Sequence, residues 1–295
     1  MEGSVFFMAK NTVVFVTDQR QEQLAGFLPG KIYRLDWRRK VRDKEEREAL
    51  EGNVRLILPT PVSRMERNNE VTQLLKEKLI KRQTEGWTVF AGAVTPAWRQ
   101  LLQEANVCWY DLLEDEETVR QNARITAEAT VAEILKYSPY SIRCQKIIVC
   151  GFGRCGREIA KLLAAMGAKV TVLARSTEAR KQARREGYEA ADFSYAPEEA
   201  YGARTIVNTV PAPVIREPFL REMHRDAVII DIASRPGGTD LMAAEAYGIK
   251  VVAALGLPGK YTTKSSAKVL ADAIERLQPS QEGECEKPWI LQILI

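Results

Sequence analysis

The sequence is short of the groups that carry most acid–base, nucleophilic and metal chemistry. It has one histidine, His224, set in the charged segment EMHRD, where a surface position is expected. A structural zinc site needs several Cys or His ligands close together, so no metal is expected. The five cysteines (108, 144, 150, 155 and 285) are odd in number and include no CxxC pair. That usage fits a reducing cytoplasm rather than a disulfide framework. No apolar run approaches the roughly 20 residues needed to span a bilayer. The N-terminus, MEGSVFFMAKNTVVFV, lacks the charged region and long apolar core of a signal peptide. A net charge of +4, from 43 basic and 39 acidic residues, is too small and too mixed to argue for nucleic acid. What remains is an ordinary soluble composition, 45% apolar and 28% charged, in 295 residues. That length allows two domains with separate cores.

The most specific signal is Lys146-Ile147-Ile148-Val149-Cys150 running into Gly151-Phe152-Gly153-Arg154-Cys155-Gly156. A β-branched run stops at a glycine-rich turn. A helical pattern follows over 157–166, with Ile159, Leu162 and Leu163 on one face, and then a second apolar run over 170–173. This strand–GxGxxG–helix–strand context predicts a dinucleotide site. Gly151 permits the tight turn, Gly153 lets backbone approach a pyrophosphate, and Gly156 lets helix and strand pack closely. The helix N-terminus adds unpaired N–H groups and a positive dipole end. Cys155 in this loop reads as a small filler, with a nucleophile as the alternative.

The second strand ends in Ala174-Arg175-Ser176-Thr177. NAD sites usually hold Asp or Glu there, bonded to the ribose 2′-hydroxyl. A guanidinium with neighbouring hydroxyls suits a 2′-phosphate instead. NADP is therefore the expected cofactor, read from Arg175 and Ser176. The alternative is that Arg175 is an ordinary solvated loop residue.

Strands and helices alternate along the whole chain, which predicts an α/β protein with two doubly wound parallel-sheet domains. The first domain is expected over 1–117, flavodoxin-like and substrate-binding, with candidate ligand loops at 17–20, 59–64 and 92–96. A long interdomain helix is expected over 118–139, overlapping a helical stretch over 115–137 that Pro139 closes. The second domain, a Rossmann fold, runs over 140–278, including a final helix over 264–277. A tail follows over 279–295, polar and then abruptly apolar, which packs on the protein, packs on a partner or is disordered. In the second domain, Thr209, Val210, Pro211, Ala233 and Ser234 lie in loops expected to face the cofactor. Asp231 reads as a cap or a nicotinamide-side residue.

The segments FGRCGREIAKLLAAMGAKVTVLARS, IIDIASRPGGTD and LGLPGKYTTKSSAKVLADAI resemble the A-subunit family of dipicolinate synthase, from endospore-forming bacteria. The loops TDQRQ, LPTP and FAGAVTP match more loosely, and ITAEATVAEIL resembles the interdomain helix of 2-hydroxyacid-type dehydrogenases. The resemblance implies oxidation of a dihydrodipicolinate-type heterocycle to pyridine-2,6-dicarboxylate with NADP during sporulation. It also implies a partner, the smaller flavoprotein-like B-subunit of dipicolinate synthase, and a location in the mother-cell cytoplasm. A homodimer is the default oligomer. Two other readings stay open: a non-catalytic NADP-binding protein of regulatory or assembly type, and an NADP-dependent hydroxy- or amino-acid dehydrogenase.

A small dianionic substrate calls for fixed donors. Arg20 and Arg235 lie at predicted strand ends on opposite sides of the expected cleft, with Thr60, Pro61, Thr95 and Thr126 as further substrate-side candidates. Glu128 is the candidate base and Arg235 a candidate catalytic residue. The alternatives are a solvated helix face for Glu128 and a turn-tying bond to a carboxylate for Arg235.

Overall fold

The computed structural model describes residues 11–36, 48–66 and 70–278. The tail expected at 279–295 lies outside them. The chain divides into two compact units, one of residues up to Val119 together with those from Thr263 onward, the other Arg120–Thr262.

The first unit alternates β1 (Asn11–Val16), α1 (Gln19–Leu24), β2 (Ile32–Asp36), β3 (Val54–Ile57), α2 (Glu70–Ile80), β4 (Thr88–Ala91), α3 (Pro96–Glu104) and β5 (Cys108–Asp111). Its five strands are all parallel, in the order β2-β1-β3-β4-β5. Every residue of β1 and β3 is buried, as a parallel sheet covered on both faces requires. One core cluster gathers Phe15, Leu56, Leu75, Val89 and Leu102. The strand order reverses between β1 and β3, and ligands in such sheets bind beyond the strand carboxyl ends at that reversal.

A long helix, α4 (Glu116–Tyr137), leads into the second unit. That unit contains β6 (Lys146–Cys150), α5 (Arg154–Ala165), β7 (Lys169–Leu173), α6 (Thr177–Arg185), β8 (Glu189–Ala191), α7 (Ala196–Ala200), β9 (Thr205–Asn208), α8 (Glu217–Glu222), β10 (Val228–Asp231), α9 (Leu241–Ala246) and β11 (Lys250–Ala253). The six parallel strands run β11-β10-β9-β6-β7-β8. Counted within the unit, this is the 3-2-1-4-5-6 order of a dinucleotide-binding Rossmann sheet. Its order reverses between β6 and β9, the strands that carry Gly151 and Thr209 at their ends.

The last helix, α10 (Thr263–Leu277), departs from the expected boundary at 278. It belongs to the first unit. Ala267, Leu270, Ala271, Ala273 and Ile274 pack with Val14, Leu24, Phe90 and Leu112. The small residues on this face let α10 lie close to α1. At its end, Arg276 donates to Asp115 at 2.5 Å, and Arg55 donates to Gln278 at 2.6 Å. An amphipathic pattern gives the helix but does not say which core it covers.

Among the described residues, no helix is long and apolar enough to cross a membrane. Cys144, Cys150 and Cys155 are free thiols. Cys108 is disulfide-bonded, against the expectation of a chain without disulfides; cysteine number and spacing carry no information on such a pairing.

Candidate functional site

In the second unit, the turn after β6 is built by close backbone contacts. Gly151 has φ +94°, and its N–H donates to the Leu173 carbonyl at 2.7 Å. A Cβ on Gly151 would lie 2.4 Å from Thr209 Oγ1, and one on Gly156 would lie 2.2 Å from the Gly151 carbonyl oxygen. Both positions therefore need glycine for packing. Gly153 is different: a Cβ there would meet nothing within 4 Å. Gly153 is also the N-cap of α5 and supplies no side-chain cap bond. The open space over this residue, in front of free helix N–H groups, is what a pyrophosphate requires. The residues present fit a dinucleotide.

The neighbouring residues sort by what they touch. Phe152 packs edge-on against Tyr188, ring centres 6.0 Å apart. Arg154 is exposed at the first position of α5. Cys155 is hydrogen-bonded with Thr126, and burial raises its thiol pKa against the opposing effects of that bond and of Arg154. It stays a protonated thiol, in keeping with the filler role rather than a nucleophile. Thr126 also donates to the Asn122 carbonyl at 2.7 Å, so its hydroxyl is engaged within the unit. Thr209 donates its hydroxyl to the Cys150 carbonyl at 2.8 Å and holds β9 against the turn. Pro211 is exposed and Val210 half-buried beside it.

At the end of β7, Arg175 is exposed, and its guanidinium has no partner among the described residues. Ser176 is the N-cap of α6. Its Oγ accepts from the Ala179 N–H at 3.3 Å and donates to Glu178 at 3.0 Å. Sequence spacing placed both residues at the ribose position but could not show that the serine was already engaged.

The loop after β10 is organised by Asp231, which is buried. One carboxylate oxygen accepts from Asn208 Nδ2 at 2.9 Å and the Ala233 N–H at 3.1 Å. The other accepts from the Gly238 N–H at 3.2 Å and the Thr239 hydroxyl at 2.8 Å. Asp231 thus acts as the loop's cap. It, and not Arg235, supplies the tie for the Pro-Gly-Gly turn. Arg235 and Ser234 are exposed, and Ala233 is buried. Arg235 has no partner among the described residues. Asn208, which sequence reading passed over, joins Asp231 to the β9 loop. Its side chain also bonds the N–H and carbonyl of Val210, both at 3.1 Å. Asp231→Asn should destabilise the unit by about 3 kcal/mol, because an NH₂ then faces buried donors. Chemical denaturation checks this; a change under about 0.5 kcal/mol would contradict it.

In the first unit, the β1 and β3 loops meet at the sheet reversal. Arg20 is buried, 4% exposed, and its Nη2 donates to the Thr60 carbonyl. Burial lowers its pKa, while Asp18 opposes the shift. Asp18 also pairs with Arg64, whose Nη1 further donates to Thr17 Oγ1 at 3.2 Å. Arg20 therefore braces Thr60 rather than projecting into solvent. Sequence placed it at a strand end but could not give its direction. Thr60 is buried and packed tightly against Gly92, while Pro61 is half-buried. Three buried atoms near these strand ends have no partner among the described residues: Arg20 Nε and Gln21 Nε2 after β1, and Thr95 Oγ1 after β4. Glu128, in the second unit on α4, is exposed and unpaired among the described residues.

Residues 113–239 match the NAD-binding domain family of D-isomer specific 2-hydroxyacid dehydrogenases. The A-subunit of dipicolinate synthase from Bacillus subtilis (strain 168) is 30% identical over 223 residues, 76% of this chain and 74% of that protein. The chain belongs to the dipicolinate synthase A-subunit family. Among solved structures, the family member from Bacillus halodurans superposes with a TM-score of 0.77 at 25% identity, covering 94% of this chain and 99% of that one. The dipicolinate synthase A chain from Bacillus subtilis gives 0.76 at 27% identity, with 92% and 96% covered. D-lactate dehydrogenase from Escherichia coli shares the fold, with a TM-score of 0.59 at 13% identity over 94% and 99% of the two chains. The second unit thus carries a nicotinamide-dinucleotide-binding domain of oxidoreductase type.

Proposed function

We propose that this chain oxidises dihydrodipicolinate, or its hydroxy-tetrahydro precursor, to pyridine-2,6-dicarboxylate with NADP. The observation that carries this reading is the open Gly153 cradle after β6, with Arg175 at the end of the paired strand β7 and its guanidinium without a partner among the described residues, in a chain of the dipicolinate synthase A-subunit family. Gly151, Gly153, Arg154 and Gly156 hold the pyrophosphate, and Arg175 the 2′-phosphate. Phe152, Cys155, Thr209, Val210, Pro211, Ala233 and Ser234 shape the seat, with Ser176 capping the helix beside it. NADP, when bound, supplies a two-electron acceptor.

The chain's own work is binding and orientation. The substrate has two carboxylates, and the Arg235 guanidinium, exposed and without a partner among the described residues, suits one of them. In the first unit, taken by itself, Thr60, Pro61 and Thr95 stand on the loops after β3 and β4 as candidate carboxylate ligands, with Arg20 as a brace behind Thr60. Thr95 Oγ1, buried and without a partner among the described residues, supports a ligand at that loop, since buried hydroxyls are rarely left unbonded. Thr126 supports the Cys155 side of the turn. The dihydro ring loses one hydride and one proton and becomes aromatic; the hydroxy-tetrahydro form first loses water. Glu128 accepts the proton. The smaller flavoprotein-like B-subunit of dipicolinate synthase is the proposed partner, in the mother-cell cytoplasm.

Purified chain mixed with NADP and dihydrodipicolinate should produce the absorbance of reduced nicotinamide. Turnover only after a second chain is added would favour a non-catalytic NADP-binding role. Faster turnover of hydroxy or amino acids would favour a different dehydrogenase. Arg235→Ala should lower kcat/KM by about 100-fold while leaving the NADPH Kd nearly unchanged. Unchanged turnover would remove Arg235 from the substrate site.

A further inference from the structure

One largely buried arginine in the second unit has no place in the function above. Arg180, on the first turn of α6, folds back over the segment between β7 and the helix. Its Nη1 donates to the Ala174 and Arg175 carbonyls, each at 2.7 Å, and to Asp192 at 2.5 Å. Its Nη2 donates to Thr177 Oγ1 at 3.1 Å. The side chain is 17% exposed. The far end of the contact is itself fixed, because Asp192 accepts from the Ser194 N–H and hydroxyl, both at 3.1 Å. These bonds to Ser194, followed by Arg180, hold the Asp192 carboxyl below its usual pKa range. The planar guanidinium thus joins the β7 end to the segment after β8. The Ala174 N–H bond to the Ala191 carbonyl, at 3.1 Å, ties the same two strand ends through the backbone.

We propose that Arg180 is a positioning residue for dinucleotide selectivity, holding the backbone of 174–177 so that the free Arg175 side chain meets a 2′-phosphate. The proposal rests on the NADP reading above. Two observations divide the roles. Arg180 has most of its N–H groups on protein acceptors, whereas Arg175 has none there. Ser176 is engaged as the α6 cap, so it does not share the task. Arg180 also covers two carbonyl oxygens that would otherwise repel a phosphate dianion beside Arg175. The fork lets Nη2 hold Thr177 Oγ1 while Nη1 stays on both carbonyls and Asp192; the single ammonium of a lysine cannot occupy both positions in that plane.

The test is calorimetric titration of NADPH and NADH into the full chain, its Arg180→Gln variant and its Arg180→Lys variant, with melting temperatures recorded in the absence of ligand. Both variants should weaken NADPH about tenfold and NADH by less than about twofold. Equal weakening of both dinucleotides would reveal a general loss of loop structure and overturn the proposal. Full NADPH affinity in Arg180→Lys would show that charge rather than the fork matters, which also overturns it. So would unchanged NADPH affinity in both variants. A wild-type chain that binds NADH as well as NADPH would overturn the NADP reading itself, and this proposal with it.

Discussion

Arg175→Asp should weaken NADPH binding by about 100-fold or more while NADH binding changes by less than about threefold. The wild-type guanidinium is exposed at the end of β7 with no partner among the described residues, so none of them competes for it. A charge-assisted bond to a phosphate contributes about 1.5–3 kcal/mol. Replacing the cation by a carboxylate removes that bond and adds repulsion of a dianion. The 2′-hydroxyl of NADH carries no such charge and can donate to a carboxylate. Because its side chain has no partner among the described residues, and the bond from Arg180 to the Arg175 backbone carbonyl is unaffected, the melting temperature of the free protein should hardly move. Fluorescence titration with both dinucleotides reads the effect. Equal losses, or none, would leave Arg175 as an ordinary solvated side chain.

Gly153→Val should abolish binding of both dinucleotides, at least about 100-fold, in a protein that still folds. The contrast with its neighbour makes the test sharp. A Cβ at Gly153 meets nothing within 4 Å, and its φ of −80° is open to any residue. The new side chain fills only the space over the α5 N-terminus. Gly156→Ala, in contrast, drives a methyl to 2.2 Å from the Gly151 carbonyl oxygen, so it should lower the melting temperature with or without ligand. If Gly153→Val binds like wild type, the space over the turn is not a phosphate seat. Arg175→Asp discriminates between two dinucleotides; Gly153→Val removes both. Together they separate the seat from its selectivity.

Much of this was legible in the sequence because parallel sheets leave a strong local signal. The buried stretches 147–150 and 228–230 are continuous apolar runs, and each leads into a glycine- or proline-containing loop. The glycine turn could be read residue by residue because each glycine answers a separate local constraint. Four features were not legible, the first three for a non-local reason. Helix α10 shows its apolar stripe plainly, yet joins the first unit through contacts with residues some 150 to 260 positions away. Asp231 follows a buried strand like many caps; only the fold shows that its four donors come from Asn208, Ala233, Gly238 and Thr239. Arg20 stands at a strand end, where a ligand arginine would stand, but folds inward to the Thr60 carbonyl. The short strand β8, Glu189–Ala191, has no apolar run to announce it and lies at the sheet edge. Direction and partner, rather than element type, are what a single sequence withholds.

The most direct measurement is a crystal structure of the chain grown with saturating NADP. Density for the pyrophosphate should lie against the amino end of α5 at Gly153 and Arg154, with the adenosine phosphate beside Arg175. Well-ordered cofactor bound anywhere else, with that turn empty, would contradict the dinucleotide assignment on which the proposed oxidation depends.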